Sequence, residues 1–100
     1  MSSRPVIRVD QAQLDKIMLL HEMFLQTRPG GARANLAFHN LANLSLMGRD
    51  LSGADFTGAI LTNANLMHTV LNSASLFGAD LRNAVLRHAS MIKTDLRGAT

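Results

Sequence analysis

Two histidines spaced by twenty, His68 and His88, and a set of carboxylates, Asp50, Asp55, Asp80 and Asp95, are the residues of this chain whose types and spacing could do chemistry. A transition-metal site asks for three or four converging ligands, and no Cys, Asp or Glu keeps step with the two histidines. The four aspartates recur at one position of a five-residue pattern, where hydrogen bonding to a turn explains them without an acid–base role. The chain has no cysteine, which excludes thiol nucleophiles, disulfide frameworks and Cys-based zinc sites. It also has no G-x-S-x-G, no phosphate-binding glycine loop and no H-E-x-x-H. No catalytic residue, no cofactor and no metal is expected.

Charge points the same way. Ten Lys and Arg against seven Asp and Glu give a formal net charge of +3, interspersed along the chain. Basic residues concentrate late, at Arg82, Arg87, Lys93 and Arg97 with His88 among them. They could contact phosphate or an acidic partner, but no aromatic residues interleave with them to stack on bases. A solvated surface is the favoured reading and nucleic acid is disfavoured.

The elements that must position these residues are set by a period of five. In "ADFTGAILTNANL", Ala54 to Leu66, a large apolar residue stands at Phe56, Leu61 and Leu66, with an alanine two positions before each. From Ala34 onward this holds without a gap for thirteen units centred at positions 36 to 96. Eleven centres are Leu, and the others are Phe56 and Met91. A helix repeats at 3.6 and a strand at 2, so a chain with one large and one small inward residue per five must turn a corner once per unit. Leu fills the middle, Ala permits close backbone approach, and Gly, Asn or Ser after the centre makes the turn. Coils of such a chain stack like parallel strands, about 4.8 Å apart, into a narrow solenoid.

Residues 1–33 do not share the period and form a leader. Asp10 is an N-cap, Gln13 completes a capping box, and Val9 with Leu14 has the spacing of a hydrophobic staple, which predicts a helix over about 11–27. Pro29, Gly30 and Gly31 are read as its stop. Leu19, Leu20 and Met23 widen its apolar arc beyond one stripe, so it should be covered on more than one side: by the end of the following domain, and either by a partner chain or by packing of the whole arc inside one protomer. The β-branched run "VIRV" at 6–9 predicts a short strand. The N-terminus lacks the apolar stretch and cleavage site of a signal peptide, and no window has the eighteen or more apolar residues of a membrane span, so a soluble cytoplasmic protein without membrane contact is expected.

The units "ANLAF", "ADFTG", "ANLMH", "ADLRN" and "TDLRG" resemble the pentapeptide repeat family over residues 34–100. That resemblance implies an all-β solenoid, a right-handed quadrilateral parallel β-helix with four units per coil. Thirteen units then make about three coils, on the order of 16 Å tall. An N-terminal capping α-helix is also similar to other members. The small inward position departs from the pattern only in the first coil, at His39, Leu44 and Arg49. The helix is therefore expected to pack over this coil through Leu14, Met18 and Phe24 against Leu44, with His39 and Arg49 reaching outward at the rim. At the other end Met91 and Leu96 are expected to offer an uncapped coil for self-association, as end-to-end dimers are common in the family. A homodimer through the leader helix is the other possibility.

With four units per coil, residues twenty apart stack. On the third side Met47, Met67 and Arg87 form one column and Ser45, Asn65 and Val85 another, with His68 and His88 stacked at the turn. Ile60, Val70, Phe77 and Ile92 are expected to point outward on other sides. Outward Met, Ile and Phe suit a surface that binds protein. The expected function is thus a non-catalytic structural or adaptor module that binds a protein partner or itself. The alternative comes from the family alone, whose acidic, DNA-like members bind gyrase, a type II topoisomerase. The net positive charge disfavours it.

Overall fold

A computed structural model of the chain describes residues 6–100, so the leader's residues 1–5 lie outside the described residues. Strand β1 (Ile7–Arg8) leads into helix α1 (Gln11–Leu25), and β2 (His39–Asn40) lies in the first circuit of the repeat. The Asp10 side chain accepts the Gln13 N–H at 2.8 Å and the Gln13 side chain accepts the Asp10 N–H at 2.8 Å, closing the capping box. Val9 packs half-buried against the same core as Leu14, as a staple would.

The helix ends two residues earlier than expected, and not at Pro29 or the glycines. Arg28 N–H donates to the Met23 carbonyl and Thr27 N–H to that of Phe24, the two bonds of a Schellman cap, with Thr27 in the left-handed region at φ 54°. A β-branched residue is strained there. Gly31 serves another purpose: a Cβ on it would lie 2.4 Å from the Phe24 nitrogen, so only glycine lets the chain fold back against the helix end.

The repeat winds as a parallel β-helix. Parallel bridges join residues twenty apart: Asn35 to Asp55 and on to Ser75 and Asp95, Asn40 to Ile60 to Asp80, Ser45 to Asn65 to Val85, and Asp50 to Val70 to Ser90. Five residues make one side and twenty return the chain to the same side. In every unit the N–H three residues after the centre bonds back to the centre's carbonyl, and the residue between them, two past the centre, has φ between 57° and 76°. The polar position before the centre braces the same turn. Asp50, Asp55, Asp80 and Asp95 each accept the N–H two residues on, as do Asn35, Asn40 and Asn65, all at 2.9 to 3.2 Å.

Inside, the centres from Leu36 to Leu76 are buried with Ala34, Ala54, Ala59, Ala64, Ala74 and Ala79. Two of the small inward positions are threonines, whose hydroxyls would be costly if unpaired. Thr69 donates to the Leu46 carbonyl at 3.1 Å and Thr94 to that of Leu71 at 2.7 Å, each reaching the circuit before its own. Burial fades in the last described circuit, where Leu81, Leu86 and Met91 are only partly covered and Leu96 is 42% exposed.

Candidate interaction surface

Helix α1 lies across the open end of the first circuit. Leu14, Met18 and His21 are buried beneath it, with Ile17 and Leu44 partly buried in the same cluster. These helix residues follow i, i+4, i+7 spacing, which puts them on one line. His21 is the residue that apolar patterning alone passes over, though it keeps that spacing. Its Nδ1 accepts the Ala34 N–H at 2.9 Å, and since the Ser52 carbonyl can only accept, its Nε2 donates there at 2.8 Å. One neutral imidazole thus satisfies two backbone groups on two sides of the first circuit.

The rim is also bound to the helix, which corrects two expectations. Arg49 does not reach outward: its Nη2 lies 2.8 Å from the Glu22 Oε1, and the other Glu22 oxygen accepts the Asp50 N–H at 3.1 Å. His39 folds back on its own turn, with Nδ1 2.9 Å from the Ala37 oxygen, under the strand pair in which Ile7 faces His39 and Arg8 faces Asn40. Gln11 extends the seam, its Oε1 accepting the Ser45 N–H at 2.8 Å and its Nε2 donating to the Ser45 carbonyl at 2.7 Å. Phe24, expected among the cap contacts, is 45% exposed. Ten residues past Leu14 it is turned about 80° off the Leu14–Met18–His21 line, and its ring lies tilted beside that of His21 at the helix end, centroids 6.0 Å apart.

On the outside, the stacking places the third-side residues in columns. Met47 is 51% exposed, its sulfur accepting the Asn65 side-chain N–H at 3.6 Å, while Met67 is half-covered and Val85 is exposed. The His68 and His88 rings stack, centroids 4.9 Å apart and planes 14° from parallel. Stacked faces do not converge their nitrogens on one point, and among the described residues no group of three His, Asp or Glu could hold a metal. Phe77 is exposed on the first side, with the Arg97 guanidinium 5.6 Å from its ring centre. Met91 and Leu96 stand at the thinly covered last circuit, away from the Met47 column.

Two of the late arginines are neutralised where they stand. Arg82 bonds to Asp80 at 2.7 Å and Arg97 to Asp95 at 2.9 Å. The side-chain bond from Arg82 holds the Asp80 carboxyl below the usual range, and the bond from Arg97 lowers that of Asp95 to about 2. Arg87 and Lys93 have no such partner among the described residues.

Two recesses, of about 260 and 450 Å³, lie along α1 where it meets the first circuit. Neither sets a nucleophile beside a base. Among the described residues no helix is long and apolar enough to cross a membrane.

The family model for pentapeptide repeats matches eight copies in this chain, over residues 32–71, 50–86 and 64–100. Among solved structures, the pentapeptide repeat protein Rfr23 from the cyanobacterium Cyanothece 51142 is 28% identical over 70% of this chain and 52% of its own, with a TM-score of 0.60. The chain thus spans about half the length of that protein. The pentapeptide repeat protein alr5209 from Nostoc Pcc 7120 is 33% identical over 97% of this chain and 78% of its own, with a TM-score of 0.47. HetL, a pentapeptide repeat protein involved in heterocyst differentiation regulation in Nostoc sp. strain PCC 7120, is 26% identical over 67% of this chain and 42% of its own, with a TM-score of 0.37. A comparison with curated proteins found no match. A period of five with stacked partners twenty apart and a family match running from residue 32 to 100 agree: the chain belongs to the pentapeptide repeat family, and the right-handed β-helix comes with that membership.

Proposed function

We propose that this chain is a non-catalytic, cytoplasmic binding module, a rigid quadrilateral β-helix of about three coils that holds a surface against another protein or a second copy of itself. The observation that carries it is the contrast between a fully committed inside and an apolar outside. Inward positions are mostly Leu and Ala, and among the described residues no buried side-chain polar atom lacks a partner, while Met47, Phe77 and Val85 stand exposed on the sides of the stack. The carboxylates that chemistry would need are engaged in turns and ion pairs instead. A DNA-like role at gyrase would require a negative field, and this chain carries +3.

The deciding experiment is the solution mass by light scattering of the chain and of Leu96→Arg and Met67→Lys. A dimer lost only with Leu96→Arg assigns self-association to the last circuit, and one lost only with Met67→Lys assigns it to the third side. A monomer in all three directs the reading to a different protein.

A further inference from the structure

The third and fourth sides of the last described circuit carry a surface of distinct character. Within nine consecutive residues stand Val85, Arg87, His88, Ile92 and Lys93, all exposed, with Ile92 at 64% the most exposed large apolar side chain among the described residues. Arg87 and Lys93 lack ion-pair partners among the described residues: no Asp or Glu occurs between residues 81 and 94, and the carboxylates on either side, Asp80 and Asp95, are taken by Arg82 and Arg97. None occurs between 56 and 79 either, so the circuit stacked beneath these two sides contributes no carboxylate. The charges of Arg87 and Lys93 are therefore not offset by a carboxylate of their own.

From this we infer that the corner is a docking surface for an acidic segment of another protein, one that alternates carboxylates with apolar side chains. The inference rests on the protein-binding reading and specifies the chemistry of the partner. Arg87 and Lys93 would meet the carboxylates. Val85 and Ile92 flank them and would lose exposed apolar area on contact, which a phosphate backbone would not provide. A nucleic acid would also want an aromatic platform, and this corner has none beyond the stacked His68 and His88. A second copy of the same corner would set Arg87 and Lys93 against Arg87 and Lys93. The surface is lateral, so it is present whatever packs on the end of the stack.

The test is titration of the isotope-labelled chain with a short capped peptide of interspersed Asp, Leu and Ser, followed by amide shifts and fluorescence anisotropy. The same peptide with Lys for Asp and a single-stranded oligonucleotide are run beside it. Binding of the acidic peptide with shifts centred on residues 85–93 is expected, weakened about tenfold by Arg87→Glu with Lys93→Glu and about threefold by Ile92→Ser. Arg87→Gln with Lys93→Gln should fall between, and these exposed changes should leave the circular dichroism spectrum unchanged. Equal binding of the lysine peptide overturns the inference. So does an oligonucleotide that binds more tightly and ignores Ile92→Ser, or a shift of the same residues on simple concentration, which would assign the corner to a second copy. Shifts that map onto Met47 and Met67 overturn the corner while leaving the protein-binding reading standing.

Discussion

His21 Nε2 donates to the Ser52 carbonyl at 2.8 Å while its Nδ1 accepts the Ala34 N–H, so a single buried ring ties helix α1 to two sides of the first circuit. His21→Ala removes the packing and leaves a buried donor and a partly buried acceptor unpaired, a loss of about 2–4 kcal/mol. Urea unfolding at neutral pH should show it. A loss below 1 kcal/mol would mean the helix is held by Leu14 and Met18 alone.

Leu66 and Met67 are neighbours in sequence and on opposite sides of the wall. Leu66→Lys places an unpaired charge among the stacked leucines and should abolish folding, a loss above about 4 kcal/mol. Met67→Lys points outward and should change stability by less than about 1 kcal/mol. Thermal melts of the pair check the inward and outward assignment in one comparison.

Two left-handed positions make opposite predictions. At Thr27 the helix cap wants a residue free to take positive φ, and Thr27→Gly should stabilise by about 0.5–1 kcal/mol. At Gly58, φ 65°, an added Cβ would lie 2.4 Å from the Phe38 ring twenty residues earlier. Gly58→Ala should therefore destabilise, and less so in a Phe38→Ala background. A double-mutant cycle by chemical unfolding reads the coupling, and additive effects would deny the contact.

The Asp95 carboxyl, held by Arg97, titrates near 2 in the folded chain and nearer 3.8 once the bond is gone. A lowered folded value means that this contribution is present above the unfolded value and is lost as pH falls from about 4 toward 2. The direction for Asp80 beside Arg82 is the same. Both groups are exposed, so the effect on stability is small and is best read on the carboxyl itself. Carboxyl carbon shifts should follow Asp95 down to about 2 in the parent chain and move back toward 3.8 in Arg97→Ala.

Much of this fold is legible in the residues because each layer of it repeats. Leu and Ala at fixed offsets fix what faces in, and the polar residue before each centre braces a turn in every side where it is Asp or Asn. The left-handed residue two past each centre was legible where it is Gly or Asn and hidden where it is Phe38, Lys93 or a histidine, because these adopt positive φ only under the constraint of the stack. What lay beyond reach was set by contact between non-repeating parts. Arg49 reads as a rim charge until Glu22 is known to lie over it, and Phe24 reads as a cap contact until the helix is seen to cross with Leu14, Met18 and His21 downward. The proposed binding surface was half visible. The outward Met and Val columns follow from the period, but the isolation of Arg87 and Lys93 depends on which cations Asp80 and Asp95 neutralise.

The uneven covering of the two ends gives the molecule a direction in time. Each side of the stack is stabilised by its neighbours, and the end under α1 is sealed while the inward leucines from Leu81 onward are only partly covered. Amide exchange should therefore be slowest near Leu46 and Leu51, where the helix covers the first circuit. Growth follows the same order. As the chain leaves the ribosome, the cap and the first circuit it seals emerge first, and every later circuit is laid down on a finished template.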